Sequence, residues 1–155
     1  MLEPVVCSVT VIASAEEAFR AFTDSFSAWW PSAYTLSKET LQDIGFEPIE
    51  GGACFEIGPH GFRCDWGRVT AWEPPNRLTL AWHVGPTSAP DPNPAHASEI
   101  RVRISEIEPS TSLVEIEHCD IQRHGEGSAK YREELASEYG WPFLIDQYAA
   151  MLGGK

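Results

Sequence analysis

The sequence lacks an excess of positive charge, a long hydrophobic run and a secretion signal. Its 155 residues carry 23 acidic and 11 basic side chains, a formal net charge of −12. Such a charge repels nucleic-acid phosphates and anionic lipid headgroups, so we expect no nucleic-acid partner and no membrane partner. No apolar run approaches the ~18 residues of a membrane span. The amino terminus lacks the basic and apolar regions of a signal peptide, and we therefore expect a cytoplasmic protein.

Motifs for a metal, a redox centre or a nucleophile are also missing. The four cysteines, Cys7, Cys54, Cys64 and Cys119, have no CxxC spacing, and without a secretion signal we expect reduced core thiols. The histidines show no HExxH spacing, so no zinc site is expected. GxSxG, Cys–His and phosphate-loop motifs are absent from the sequence. The sequence therefore predicts no catalytic residue, no metal and no obligatory cofactor.

The strongest signal present is an amphipathic helix from Gly140 to Gly154. Apolar side chains recur there at i, i+3, i+4, i+7, i+10 and i+11, which places them on one stripe: Trp141, Leu144, Ile145, Tyr148, Met151 and Leu152. Pro142 in the first turn and glycines at both ends agree with these limits. A stripe this heavy needs a concave apolar surface to lie in.

The preceding chain predicts strands that could form this surface. A β-branched strand at 5–12 is followed by a capping box at Ser14 and Glu17, which opens a short helix. Alternating apolar residues and turn signals predict strands at 44–49, 53–57, 62–72, 77–83, 99–106 and 113–120. The order predicts an α+β fold in which a curved antiparallel sheet of six or seven strands wraps around the last helix. With no repeat in the sequence, we expect residues 1–155 to form one domain.

Two segments between these strands invite a functional interpretation. A second short helix is predicted to carry Phe26, Trp29 and Trp30. Two adjacent tryptophans on a short helix cannot point the same way, so we expect one inside and the other at a rim or partner surface. The segment 84–97 is proline-rich and is expected to be a long loop, either a binding loop or a plain surface loop.

His118 is the ionisable group that strand alternation places on the inner face of the sheet. Val114, Ile116 and His118 alternate with Glu115 and Glu117, which are expected to face solvent. Two interpretations stay open. His118 is either a core histidine with satisfied hydrogen bonds, or a polar group in a cavity that orients a ligand or acts as an acid–base.

Several local motifs resemble the START-like, or helix-grip, superfamily. They are residues 14–19, residues 26–31, Phe46-Glu47-Pro48 before Gly51-Gly52, residues 66–69, residues 72–78, Trp82, Ser98-Glu99, Glu117-His118, Arg123-His124-Gly125 and Gly140-Trp141-Pro142. More narrowly, the chain resembles bacterial stand-alone members of the family named after the activator of the heat-shock-chaperone ATPase (Aha1-like, SRPBCC proteins). Ala53-Cys54 departs from that pattern, where a larger or basic residue and an aromatic are expected. The resemblance implies a fold rather than one function, because this fold hosts lipid binders, hormone receptors, cyclases and co-chaperones.

The resemblance also implies a pocket between the sheet and the last helix. We expect a small hydrophobic or amphipathic ligand to bind there, against these candidate wall residues: Trp30, Phe55, Trp66, Trp72, Leu80, Trp82, Ile100, Val102, Ile116, His118, Trp141, Ile145 and Tyr148. One alternative is a protein-interaction module related to the chaperone activators, with Trp29 or Trp30 on an exposed patch and no cavity. Another is a cyclase- or aromatase-like enzyme that uses His118.

Two partners besides the small ligand follow from these hypotheses. A homodimer is expected to use tryptophan-bearing edges and the proline-rich loop as self-contact surfaces. A chaperone partner belongs to the interaction-module alternative and is not the favoured expectation.

Overall fold

Seven antiparallel strands form one curled sheet in the computed structural model, which describes residues 1–153. The strands are β1 (Val5–Val11), β2 (Asp43–Phe46), β3 (Ala53–Ile57), β4 (Arg63–Glu73), β5 (Arg77–Trp82), β6 (Ser98–Glu108) and β7 (Thr111–Cys119). Their order across the sheet is β1-β7-β6-β5-β4-β3-β2. Each strand from β2 to β7 therefore lies beside its neighbour in the chain, and only β1 pairs with a distant segment.

Within residues 1–153, four α-helices accompany the sheet: α1 (Ala15–Thr23), α2 (Phe26–Trp29), α3 (Ser128–Ala136) and α4 (Trp141–Met151). The predicted capping box begins α1, because Ser14 Oγ accepts from the Glu17 amide at 3.1 Å and Glu17 Oε1 accepts from the Ser14 amide at 3.0 Å. The helix α4 lies in the concave face of the sheet. The predicted α+β helix-grip architecture, with two short helices after the first strand, is confirmed.

The apolar stripe of α4 is buried over its first two turns and exposed at its last. Trp141, Leu144, Ile145 and Tyr148 are buried as predicted, whereas Met151 is 38% exposed. The prediction for Met151 was wrong because the helix ends there against the end of the edge strand, where the Ile12 amide donates to the Leu152 carbonyl at 3.3 Å. The predicted helix end at Gly154 lies outside the described residues.

Both adjacent tryptophans are buried, so the prediction that one of them reaches a rim was wrong. Trp29 is 4% exposed and Trp30 is 8% exposed. The helix α2 ends at Trp29, and Trp30 has an extended backbone (φ −74°, ψ 125°). Because the backbone changes direction between them, Trp29 packs on Phe22 and Tyr148 while Trp30 packs towards the sheet.

The strand β3 faces the concave side with a different set of residues from the one expected. Cys54 and Glu56 are buried, and Phe55 between them lies on the opposite face under the Arg63 guanidinium, 5.0 Å from its ring. Phe55 therefore cannot belong to the pocket wall, because side chains alternate along a strand. The strand β2 is also shorter than predicted and stops at Phe46, where turns lead through Pro48 into β3.

The expectation of core thiols holds for two of the four cysteines, because Cys7 and Cys64 are only half-buried. All four cysteines are free thiols, and Cys54 and Cys119 are buried. Within residues 1–153, no helix is long and apolar enough to cross a membrane.

Candidate functional site

A cavity of about 390 Å³ opens between the sheet and the N-terminal end of α4. The strands β2 to β5 form its floor, and short turns after α2, the start of the proline-rich loop and α3 form its rim. It is lined by Trp30, Ala33, Tyr34, Thr35, Leu36, Lys38, Ile44, Glu56, Trp66, Trp82, Val84, Gly85, Ser88, Pro90, Tyr131, Glu134, Leu135, Tyr139, Gly140, Trp141 and Leu144.

Four tryptophans dominate the wall of this cavity. The rings of Trp30 and Trp66 are almost parallel, with planes 6° apart and centroids 6.5 Å apart. The ring planes of Trp82 and Trp66 are 64° apart and their centroids are 5.3 Å apart. The ring planes of Trp141 and Trp30 are 66° apart and their centroids are 6.2 Å apart. The four rings therefore contact one another in both parallel and edge-to-face arrangements, which are the favoured geometries of aromatic pairs.

Tyr131 on α3 joins the cavity wall to the proline-rich loop. Its hydroxyl accepts from the Trp82 indole N–H at 2.9 Å and donates to the Val84 carbonyl. Burial raises the pKa of Tyr131 to about 12, so the hydroxyl keeps the proton that it donates. This pair of bonds holds α3, β5 and the loop together along one side of the opening.

Glu56 brings a carboxylate to the opposite side of the cavity. It points inward from β3 and is 3% exposed. Its Oε1 accepts from the Leu36 amide at 3.1 Å, and its Oε2 accepts from the Ser37 amide at 2.9 Å and the Ser37 hydroxyl at 2.8 Å. Glu56 thereby fixes the turn that covers the cavity, and it forms no ion pair with any residue of 1–153.

His118 lies behind the cavity wall rather than in it. The Trp141 indole N–H donates to His118 Nδ1 at 2.9 Å, and His118 Nε2 lies 2.7 Å from Ser98 Oγ. An indole N–H can only donate, so Nδ1 is the acceptor and Nε2 carries the proton. Burial, with the nearby His124, lowers the pKa of His118 to about 3. His118 is therefore a neutral histidine whose two nitrogens are both engaged.

The hydrogen-bonded chain continues from His118 to the base of the proline-rich loop. Ser98 Oγ lies 2.8 Å from His124 Nε2, and the buried hydroxyl can donate there because it accepts from His118. Burial and the neighbouring His83 lower the pKa of His124. Within the loop, Asp91 binds His83 through its carbonyl and His96 through its carboxylate. His83, His96 and His124 thus anchor the loop through hydrogen bonds.

Comparison with known proteins assigns the chain to a family. The family model described as Activator of Hsp90 ATPase homolog 1-like protein matches residues 12–153. The chain belongs to this Aha1-like family. No curated protein sequence matches it.

Solved structures similar to this Aha1-like chain include two with recognisable sequence identity. The anthrahydroquino-γ-pyrone synthase Txn09, in complex with SUM, is 30% identical over 96% of each chain, with a TM-score of 0.67. CalC, a self-sacrificing resistance protein from Micromonospora echinospora, is 26% identical over 97% of this chain and 94% of its own, with a TM-score of 0.67. The Aha1 dimer from Colwellia psychrerythraea is 15% identical over 97% and 96% of the chains, with a TM-score of 0.62, and shows the fold alone.

The candidate wall residues of the Aha1-like chain fall into three groups. Trp30, Trp66, Trp82 and Trp141 line the cavity. A second group packs in the core without reaching the cavity lining: Trp72, Leu80, Ile100, Val102, Ile116, His118, Ile145 and Tyr148. Phe55 lies on the outer face. In the described part of the chain, no group of three or more His, Cys, Asp or Glu side chains is placed to hold a metal ion.

Several lining residues were missed by sequence reasoning. Glu56 alternates with the outward Phe55, so the correct inward face of β3 would have revealed it. Tyr131 and Leu135 are four residues apart on α3 and share a helix face. Tyr34 and Leu36 lie in a polar, irregular segment that carries no periodic signal.

Proposed function

We propose that this Aha1-like protein binds a small aromatic or amphipathic molecule in the cavity beside α4. The observation that carries the proposal is the cavity itself, about 390 Å³ with four tryptophans in its wall. Ligand sites in proteins are concave, mostly apolar and of this order of size, with a few polar groups that fix orientation. Here Glu56 and Tyr131 supply polar groups at opposite sides.

Apolar contact would provide most of the affinity. Burying apolar surface contributes roughly 25 cal/mol per Å², and flat rings gain further from offset or edge-to-face contact with tryptophan. A planar ligand can use the parallel faces of Trp30 and Trp66 together with the edges of Trp82 and Trp141. The 30%-identical Txn09, described in complex with SUM, supports a bound molecule in this fold.

The same relative favours a second candidate, catalysis on such a molecule, because it is described as a synthase. In this chain His118 is not available as the acid–base, since Trp141 and Ser98 occupy both of its nitrogens. The ionisable side chains that line the cavity are Lys38, Glu56 and Glu134, together with tyrosines. An enzymatic role would therefore have to use these groups, and loss of turnover in Glu56→Gln with retained binding would support it.

The interaction-module alternative has less support from the structure. It required an exposed patch around Trp29 or Trp30 and no cavity, whereas both side chains are buried and a cavity is present. Its direct test is ATPase stimulation of a purified chaperone, for which we expect no effect at saturating protein. Self-association is a separate proposal, and light scattering of the purified protein would measure it.

A titration with a neutral environment-sensitive dye tests the binding proposal. We expect N-phenyl-1-naphthylamine to gain fluorescence on binding and to be displaced by planar aromatic compounds more readily than by fatty acids. Ala33 lies at the cavity mouth, and Ala33→Trp should weaken dye binding at least tenfold by occupying the opening. Val6→Trp is the matched control, because Val6 is exposed away from the mouth. Absence of dye and ligand binding to the wild-type protein would refute the proposal.

A further inference from the structure

We propose that the cavity selects organic cations, meaning an ammonium group carried on an apolar or aromatic body. The inference rests on the proposed binding function and adds the charge of the ligand. It follows from three features of the cavity: a buried carboxylate that has no ion pair within residues 1–153, a wall of tryptophan rings, and an acidic surrounding.

The buried carboxylate is that of Glu56. A buried charge is costly unless an opposite charge or several hydrogen bonds compensate it. Glu56 receives three hydrogen bonds, from the Leu36 amide and from the amide and hydroxyl of Ser37, and all of these donors are neutral. A carboxylate offers about four acceptor positions, and Oε1 is used by a single donor. An ammonium ion in the cavity would find a buried carboxylate whose hydrogen-bond donors are all neutral, and an Oε1 that accepts a single hydrogen bond.

Carboxylates on the outer face of the sheet have ion-pair partners, unlike Glu56. Glu99 and Glu117 are more exposed than Glu56, yet both pair with the Arg101 guanidinium. An acidic side chain in water needs such a partner least, because solvent already screens it. Among residues 1–153 the more buried Glu56 has no such ion pair, so a cation that pairs with it would have to be supplied by a ligand.

The tryptophan rings of the wall attract positive charge independently of Glu56. The face of an indole ring is electronegative, and tryptophan is the strongest of the aromatic side chains in cation–π contacts, within ~6 Å of the ring centroid. Trp30, Trp66, Trp82 and Trp141 border one cavity with centroid separations of 5.3–6.5 Å between neighbouring rings. A cation placed among them can approach more than one ring.

The electrostatic field of the charged groups around the cavity also favours a cation. Glu134 adds a second carboxylate to the lining, and among residues 1–153 the lining holds one basic side chain, Lys38 at the exposed rim. The protein as a whole carries a formal net charge of −12. Clefts with low-dielectric walls focus such a field and concentrate ions of opposite charge. An anionic ligand of equal size would enter against this field.

The test compares three naphthalene compounds of similar size that carry a cationic, a neutral or an anionic group: 1-naphthylmethylammonium, 1-naphthylmethanol and 1-naphthaleneacetate. We expect calorimetry at fixed salt to rank them cation, alcohol, anion, with about a tenfold step in dissociation constant from cation to alcohol, equivalent to ~1.4 kcal/mol. Glu56→Gln should weaken binding of the cation about tenfold more than it weakens binding of the alcohol, because both ligands share any effect on the covering turn and only the cation loses the attraction to the carboxylate. Glu117→Gln removes the same charge from the outer face and should change none of the three.

The outcomes separate this inference from the binding proposal. If the alcohol or the anion binds the wild-type protein as tightly as the cation, the charge selection is refuted and the binding proposal stands. If none of the three binds, the charge selection is refuted and the dye titration decides the binding proposal. If the cation ranks first but Glu117→Gln weakens it as much as Glu56→Gln does, net charge rather than the cavity carboxylate is responsible, and the inference fails. If Glu56→Gln no longer binds the alcohol either, the substitution has disrupted the cavity itself. The order of the three affinities in the wild-type protein then tests the charge selection.

Discussion

The two ends of α4 lie on the same concave sheet, yet one end is packed solid and the other borders a cavity. At the C-terminal end, the ring centroid of Tyr148 lies 5.3 Å from that of Phe22 and 5.5 Å from that of Trp29. The Tyr148 hydroxyl donates to the Ala18 carbonyl at 2.8 Å. At the N-terminal end, Trp141 and Leu144 face open space. We call these two regions the filled half and the open half.

The difference comes from what covers each half rather than from the sheet or the helix. The filled half is covered by α1, whose Ala18, Phe19 and Phe22 are buried against α4 and the sheet. The open half is covered by the short turns at Ser32–Tyr34 and Lys38–Thr40 and by the proline-rich loop. A helix supplies a continuous row of side chains that can fill the space, whereas these turns are held at the rim by Glu56 and Tyr131. A curved sheet around a helix therefore allows a cavity, and the covering segments decide whether it exists.

The sharpest way to test this contrast is to shorten two neighbouring side chains of α4. Ile145 belongs to the filled half and Leu144 to the open half, and both are buried. We expect Ile145→Ala to lower the free energy of unfolding by roughly 4 kcal/mol, because the new void is enclosed on all sides. Leu144→Ala should cost only about 2 kcal/mol, since its side chain already borders open space. Chemical denaturation with a shared m-value would measure both.

The dye affinities of the same two variants provide a control for the stability measurements. Leu144→Ala enlarges the cavity and should alter dye affinity, whereas Ile145→Ala should leave dye affinity unchanged once the protein is folded. Equal stability losses for the two variants would mean that the open half is as well packed as the filled half, and the contrast would be wrong.

The sequence could predict the filled half much better than the open half. The stripe of α4 and the inward alternation that ends at His118 are periodic signals produced by burial, and the structure contains both except for Met151 at the end of the stripe. The capping box at Ser14 is a local hydrogen-bonding motif and is also present. The wall of the cavity is not periodic in this sense. Its rim comes from irregular turns such as the one around Tyr34, whose positions depend on long-range bonds to Glu56. Phe55 shows the related error, because one misjudged strand face exchanges an apolar residue for a carboxylate.

The next test addresses the boundary between the two halves, where Trp141 binds His118. Trp141→Phe keeps an aromatic ring in the wall but removes the N–H that satisfies His118 Nδ1. A buried acceptor left without a donor costs about 1–3 kcal/mol, and we expect a loss of stability in that range. Trp82→Phe removes a similar bond, to the Tyr131 hydroxyl, but should cost less because that hydroxyl is nearer the rim and still donates to Val84. Denaturation curves showing the opposite order would contradict the account of the buried chain.

The smallest expected effect is a dependence of stability on pH that originates at the same boundary. Burial holds the folded-state pKa of His118 at about 3, against an ordinary value of 6.5. Between these two pH values His118 is protonated in the unfolded chain and neutral in the folded protein, so lowering the pH favours unfolding. The contribution is complete above pH 6.5 and is lost progressively as the pH falls towards 3.

Between pH 6 and pH 5 the loss attributable to His118 should be about 1 kcal/mol, since one proton taken up only by the unfolded state is worth ~1.36 kcal/mol per pH unit. Urea denaturation of the wild-type protein and of His118→Gln at both pH values would measure it. Glutamine can accept from Trp141 and donate to Ser98 but does not titrate, so its stability should change less across this interval. His124, whose pKa is also lowered, is present in both proteins and largely cancels in the difference. Identical slopes would show that His118 takes up its proton in the folded protein, which a histidine sealed between Trp141 and Ser98 cannot do.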